Sequence, residues 1–194
     1  MRWNQIALAT ATVIVASAAP AIAQRDDAAV IATQKAAMDK LAWMDGTWRG
    51  PGSTQAATGA YRVTQTERIG PMLDGTIRVL EGKGYNPDGT VGFNAFAIIS
   101  YDPATKAYVL HSYTGGRVGT FALVPTESGT TKGYYWEIPA GPAMIRYTAT
   151  YDGATWREVG ERIVPDKPAQ RFFEMTLNRV GKTDWPAAGT LPPR

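Results

Sequence analysis

The chain has 194 residues, 44% apolar and 19% charged, a size and mixture that make one globular domain and exclude a disordered polymer or a multi-span membrane protein. Its formal charge is only +3, with lysines and arginines dispersed and no basic run, so the footprint of a nucleic-acid binder is absent. With no cysteine and one histidine, disulfides, thiol nucleophiles, iron–sulfur clusters and multi-Cys or multi-His metal centres are excluded as well, and no metal site is expected.

Residues 1–23 read as a secretory signal. Arg2 is the positive start, 6–19 is an apolar run too short to span a bilayer, and Ala21-Ile22-Ala23 is a small-residue cleavage site. The expectation is therefore export to a bacterial periplasm or medium, with no membrane span left after cleavage. Removing this stretch takes away one charge, that of Arg2. Residues 24–46 follow as an N-terminal helical segment. Its helix is expected over 26–44, with Asp26 and Asp27 at the start, Val30, Ile31, Met38, Leu41 and Ala42 at near-helical spacing, and Gly46 as the stop.

From Thr47 the period changes to two, and turn signals recur every 8 to 12 residues, roughly the rhythm of an all-β barrel or sandwich. Asp74-Gly75, Asn86-Pro87-Asp88-Gly89, Gly115-Gly116, Ala140-Gly141-Pro142 and Asp152-Gly153 are examples. The strands are expected at 47–52, 59–69, 75–85, 91–101, 106–114, 117–125, 132–139, 143–151, 154–164 and 170–180. Connections this short require antiparallel neighbours. A meander of about ten strands avoids exposed edges by closing into an up-and-down barrel over residues 47–184. The Pro-rich stretch 185–194 is expected to be a tail.

The segment Leu41-Ala42-Trp43-Met44-Asp45-Gly46-Thr47-Trp48 resembles the calycin superfamily, in which a helical entry leads to a Gly-x-Trp on the first strand. The resemblance implies that Trp48 packs across a closed end beneath a basic residue of the last strand, here Arg179, both as fold determinants. The runs Glu67-Arg68-Ile69-Gly70-Pro71-Met72-Leu73, Ala97-Ile98-Ile99-Ser100-Tyr101-Asp102-Pro103-Ala104-Thr105-Lys106-Ala107-Tyr108 and Tyr151-Asp152-Gly153-Ala154-Thr155-Trp156-Arg157-Glu158 look like the DUF1579 family of exported, lipocalin-like bacterial proteins. That likeness implies a barrel with a cavity and no particular reaction.

The chemistry is less explicit. His111 shares a strand face with Val109 and Tyr113, so Ser112 points away and no Ser–His nucleophile forms there. Beyond the expected signal the other serines, Ser53, Ser100 and Ser128, lie in no recognised nucleophile motif, and Gly115-Gly116-Arg117-Val118-Gly119 lacks the Lys-Ser/Thr of a phosphate loop. No cofactor is expected. The alternative is haem held by His111, since the nitrobindins, lipocalin-like neighbours of this family, ligate haem iron through one histidine.

Carboxylates remain as a route to catalysis: Glu67, Glu81, Glu137, Glu158, Glu161 and Glu174 all fall in expected strands. Glu158, Glu174 and Arg146 share one numerical parity on the last three strands, with Trp156 and Phe172. The opposite parity, Ile145, Tyr147, Ala149, Arg157, Val159, Glu161, Phe173, Met175 and Leu177, is more apolar. Ordinary burial turns it inward and leaves Arg146, Glu158 and Glu174 as an exposed ladder; a hollow barrel inverts this and makes them a polar ligand or catalytic site.

The expected function is non-covalent binding of a small hydrophobic or amphipathic ligand inside the barrel, with His111, Tyr113, Trp136 and Trp156 as candidate contacts. The alternatives are a hydrolase or isomerase acting through Glu158, Glu174 and Arg146, and a filled barrel with an envelope or protein-interaction role.

Overall fold

A computed structural model describes residues 19–56, 59–183 and 185. Of the expected signal, 1–23, residues 1–18 lie outside the described residues and 19–23 fall in a helix; of the expected tail, 185–194, residues 186–194 lie outside them. Ten antiparallel strands form one closed ring in meander order, with β1 paired to both β2 and β10. They are β1 (Gly46–Ala56), β2 (Gly59–Met72), β3 (Ile77–Tyr85), β4 (Val91–Asp102), β5 (Ala107–Thr114), β6 (Arg117–Ser128), β7 (Thr131–Ala140), β8 (Ala143–Tyr151), β9 (Thr155–Ile163) and β10 (Gln170–Gly181). The turn residues placed these hairpins. At Gly115 and Gly116, for instance, φ is 55° and 74°, the two consecutive left-handed positions that a two-residue hairpin loop demands.

The helix differs from its expectation. α1 spans Ala19–Asp39 and a separate 3₁₀ turn covers Ala42–Met44, so Asp26 and Asp27 lie within the helix rather than at its start. Val30 and Ile31 are each 44% exposed, whereas Met38 and Leu41 are fully buried. The C-terminal end of α1 packs across one mouth of the barrel, and 27–33 stand exposed before it. Among the described residues no helix is long and apolar enough to cross a membrane.

Polar groups lock α1 to that mouth. Arg78 of β3, 3% exposed, forks onto Asp45 through Nε to Oδ1 at 2.8 Å and Nη2 to Oδ2 at 3.1 Å. Its Nη1 donates to the Met38 carbonyl at the helix end. Tyr108 Oη donates to the Ala37 carbonyl at 2.8 Å, and Gln34 Nε2 to the Tyr101 carbonyl at 3.3 Å. Replacing Arg78 by Met is expected to cost about 3 kcal/mol, since it strands a carboxylate and a helix-end carbonyl together. The check is urea unfolding, with a lower midpoint at unchanged slope; a loss below about 1 kcal/mol removes this clasp from the account of stability.

Above the helix end sits an aromatic plug. Trp43 stacks on Tyr151 at 5.3 Å between centroids and on Tyr134 at 6.1 Å, and Trp48 and Trp156 meet edge-to-face at 5.6 Å. Trp48 donates from Nε1 to the Met44 carbonyl at 2.8 Å. The Arg179 guanidinium lies 4.1 Å from the Trp48 ring centroid and donates from Nη2 to the Trp43 carbonyl at 2.8 Å. The packing expected for Trp48 and Arg179 is thus present, and this end of the barrel is closed.

Number parity and face parity separate on the last strands. Ala149 pairs with Glu158, and Glu158 in turn with Met175. Paired residues share a face of the sheet, so β8 and β10 turn their odd-numbered side chains inward while β9 turns its even-numbered ones. Trp156, Glu158 and Gly160 therefore face the lumen, and Arg157 and Glu161 face outward. Neither of the two expected sets is wholly inside.

Candidate functional site

The lumen above the plug is hollow. A cavity of about 680 Å³ is lined by residues from all ten strands, mostly aromatic and aliphatic. Side chains do not fill a ring of this many strands as they fill smaller barrels, so the filled-barrel alternative does not describe this lumen. Its mouth lies at the end opposite α1, between the hairpins that join β3 to β4, β5 to β6 and β9 to β10. Arg117 and Val118 stand at this rim beside Phe93 and Tyr61.

One wall is an aromatic face. Trp136 stacks on Tyr147 with centroids 4.5 Å apart and an interplanar angle of 8°, and Phe121 tilts against Trp136 at 4.9 Å. Phe172 and Phe173 both reach Tyr147, at 5.8 Å and 5.9 Å. Consecutive strand residues normally point to opposite faces. Here the register slips between Arg171 and Phe173, and this bulge lets both rings line the cavity.

Two carboxyls occupy the inner end. Glu158, 9% exposed, accepts a hydrogen bond at Oε2 from Tyr134 Oη at 2.8 Å. Glu67, on β2, accepts one at Oε1 from Gln65 Nε2 at 2.8 Å. Glu67 is half-buried by area, yet its carboxyl is enclosed by the barrel wall. The space for it comes from Gly82 directly across on β3: a Cβ there would stand 2.8 Å from Glu67 Oε1. Burial pushes the Glu67 carboxyl up to about 8, against the Gln65 hydrogen bond and assisted by the charges of Glu158 and Glu81. Burial likewise pushes Glu158 up to about 7, with the Tyr134 hydrogen bond opposing it. The same enclosure drives the Tyr134 hydroxyl well above its ordinary value and Tyr147 to about 12, both further raised by Glu158.

The residues singled out in the sequence divide between the two faces. Trp136, Trp156 and Glu158 line the lumen. Glu174 lies outside, 2.8 Å from Arg157 Nη2 and 3.3 Å from Arg171 Nη1. Arg146 lies outside too, 2.6 Å from Glu137. The expected trio of Glu158, Glu174 and Arg146 is therefore not assembled: the register pairs Arg146 with Glu137 and Glu161, and Glu174 with Val159 and Ser53.

His111 and Tyr113 also stand on the outer face, where Tyr113 is 43% exposed and His111 Nδ1 lies 3.1 Å from Thr120 Oγ1. The residues present do not fit haem in the lumen ligated by His111, because the sheet separates that imidazole from the cavity. Among the described residues no group of three or more His, Cys, Asp or Glu side chains is placed to hold a metal ion. Gln65 is a site residue that sequence reasoning missed, and Glu67 was named there only as one of six strand glutamates. Their signal was the Gly82-Lys83-Gly84 run on the neighbouring strand, which leaves room opposite two polar side chains.

No protein-family model matches the chain, and no curated protein matches it in sequence. In structure it is similar to Rv2717c from M. tuberculosis, with a TM-score of 0.60 and 11% identity, covering 74% of this chain and 96% of that one. That likeness concerns the fold: a β-barrel of similar extent.

Proposed function

We propose that this protein is an exported, lipocalin-like carrier of the DUF1579 kind that binds one small, largely apolar molecule non-covalently in its lumen. The observation that carries the reading is the cavity of about 680 Å³, with its stacked Trp136–Tyr147 wall and an inner end of polar groups. Pockets for small molecules fall in this size range, and they combine apolar walls with a few placed polar groups. The signal-like residues 1–23 support export to the periplasm or medium, and the three quoted sequence runs support the family assignment.

Nile red tests the reading. Its fluorescence should rise saturably with one-to-one stoichiometry, and Ser112→Trp, which adds a ring inside the lumen, should weaken binding by at least about tenfold. Absence of saturable binding, or equal binding by the Trp variant, overturns lumen binding.

A second reading, an isomerase or hydrolase, keeps one specific observation in its favour. Glu67 and Glu158 face the same lumen with pKa values near neutrality, where carboxyls exchange protons effectively. Recovery of a lumen ligand chemically unchanged after incubation favours the carrier; conversion that is lost in Glu158→Gln favours the enzyme.

A further inference from the structure

The inner end of the lumen is acidic and carries no cation of its own. Among the described lining residues the acids are Glu67 and Glu158, and the lone cation, Arg117, stands at the opposite end. The groups around the two carboxyls come from every neighbouring strand. Trp48 of β1 and Gly82 of β3 flank Glu67. Ala149 of β8 and Met175 of β10 flank Glu158, and Tyr134 of β7 and Tyr147 of β8 close over it. The nearby cations are committed elsewhere. Lys83 and Arg68 meet Glu81 on the outer face of β3, at 2.9 Å and 3.9 Å. Arg78 is clasped to Asp45, and Arg179 lies over Trp48.

We infer that the lumen takes a molecule with a protonated amine at one end and an apolar body behind it, the ammonium seated between Glu67 and Glu158. This rests on the ligand-binding reading above and names the ligand's chemical class. Gln65 serves Oε1 of Glu67 and Tyr134 serves Oε2 of Glu158. The second oxygen of each carboxyl makes no hydrogen bond among the described residues, which suits a head group with three N–H donors. An enclosed carboxylate without a partner is costly, and a cation brought by the ligand removes that cost. Burial makes both carboxyls hold protons near neutrality, and an arriving ammonium favours their ionised form and replaces those protons. The aromatic wall adds favourable quadrupoles for a cation passing over it. An anionic head group brings no charge to offset these carboxyls and is repelled once they ionise.

The experiment uses full-length mature protein loaded with Nile red, displaced at about pH 7, near the values of the two carboxyls, by dodecylamine, dodecanol or dodecanoate below their micelle-forming concentrations. The amine should displace the dye at a concentration at least about tenfold lower than the alcohol, with the carboxylate weakest. In Glu67→Gln/Glu158→Gln the ratio of amine to alcohol potency, read against that variant's own dye affinity, should fall to about one. The single variant Glu67→Gln should show a partial loss, and the comparison of the three ligands on unaltered protein needs no variant at all. Equal displacement by amine and alcohol, or an amine preference that survives in the double variant, overturns the inference while dye binding leaves the carrier reading standing. Failure of the dye to bind removes both.

Discussion

Raising the pH from about 5 to about 9 is expected to destabilise the fold by roughly 5 kcal/mol, each unit of pKa separation being worth about 1.4 kcal/mol. The two lumen carboxyls set the sign. Their folded values, about 8 for Glu67 and about 7 for Glu158, lie above the ordinary 4.5. Below the ordinary value both folded and unfolded chains hold these protons, and the favourable contribution is complete. As the pH rises, the unfolded chain releases them first, so it binds fewer protons than the folded one and stability falls until the folded carboxyls ionise as well. Opposing this on the acid side, Asp88, Asp102 and Asp152 are held below their usual value by hydrogen bonds in their turns; their contribution is lost only as the pH falls through those lowered values. The stability maximum therefore lies on the acidic side of neutrality. Melting temperature against pH checks it. The unaltered protein should lose stability across this window while Glu67→Gln/Glu158→Gln stays nearly flat, and parallel curves would sink the assignment.

Trp48→Ala is the second large effect, at about 3–5 kcal/mol, the cost of emptying a well-packed aromatic site. Trp48 is 1% exposed and touches Trp156 and Tyr151 edge-to-face at 5.6 Å and 5.8 Å. Its removal also strands the Met44 carbonyl and takes the ring from under Arg179. Denaturant unfolding measures the loss. Arg179→Met should cost less, about 1–2 kcal/mol, since the indole remains packed and a cation–π contact with one hydrogen bond is lost. A loss below about 1 kcal/mol for Trp48→Ala would mean that the plug does not hold the closed end.

The barrel was legible because its signals are local. Each hairpin carries its own Gly, Asn or Asp, and alternation between turns identifies a strand without reference to its neighbours. Which face a strand turns inward is decided between strands. On β9 the apolar count favours Val159, but the pairing of Tyr151 with Trp156 brings the opposite face into the lumen, and one residue of register moves every side chain across the sheet. The helix was misjudged for a related reason: Val30 and Ile31 have helical spacing yet stand exposed, while the residues that reach the barrel mouth, among them Ala37, Met38 and Leu41, come later in the chain. Glu158 was visible as a glutamate and Glu67 as one of six. Their sharing of one lumen was not visible, because β2 and β9 are far apart in sequence and are brought to the same cavity by the ring closure of β1 onto β10.

That closure also limits how the protein can join other chains. Each strand is hydrogen-bonded to both neighbours over part of its length, so none stands as a free edge strand of the kind that leads to fibrils or captures peptides by sheet extension; an open stretch lies where 117–122 of β6 and 137–140 of β7 run unpaired toward each other. Outside that stretch, assembly with another chain is written in side chains, on an outer wall where Arg146–Glu137 and Arg157–Glu174 already satisfy one another. A chain that has to persist at high concentration gains from such a wall.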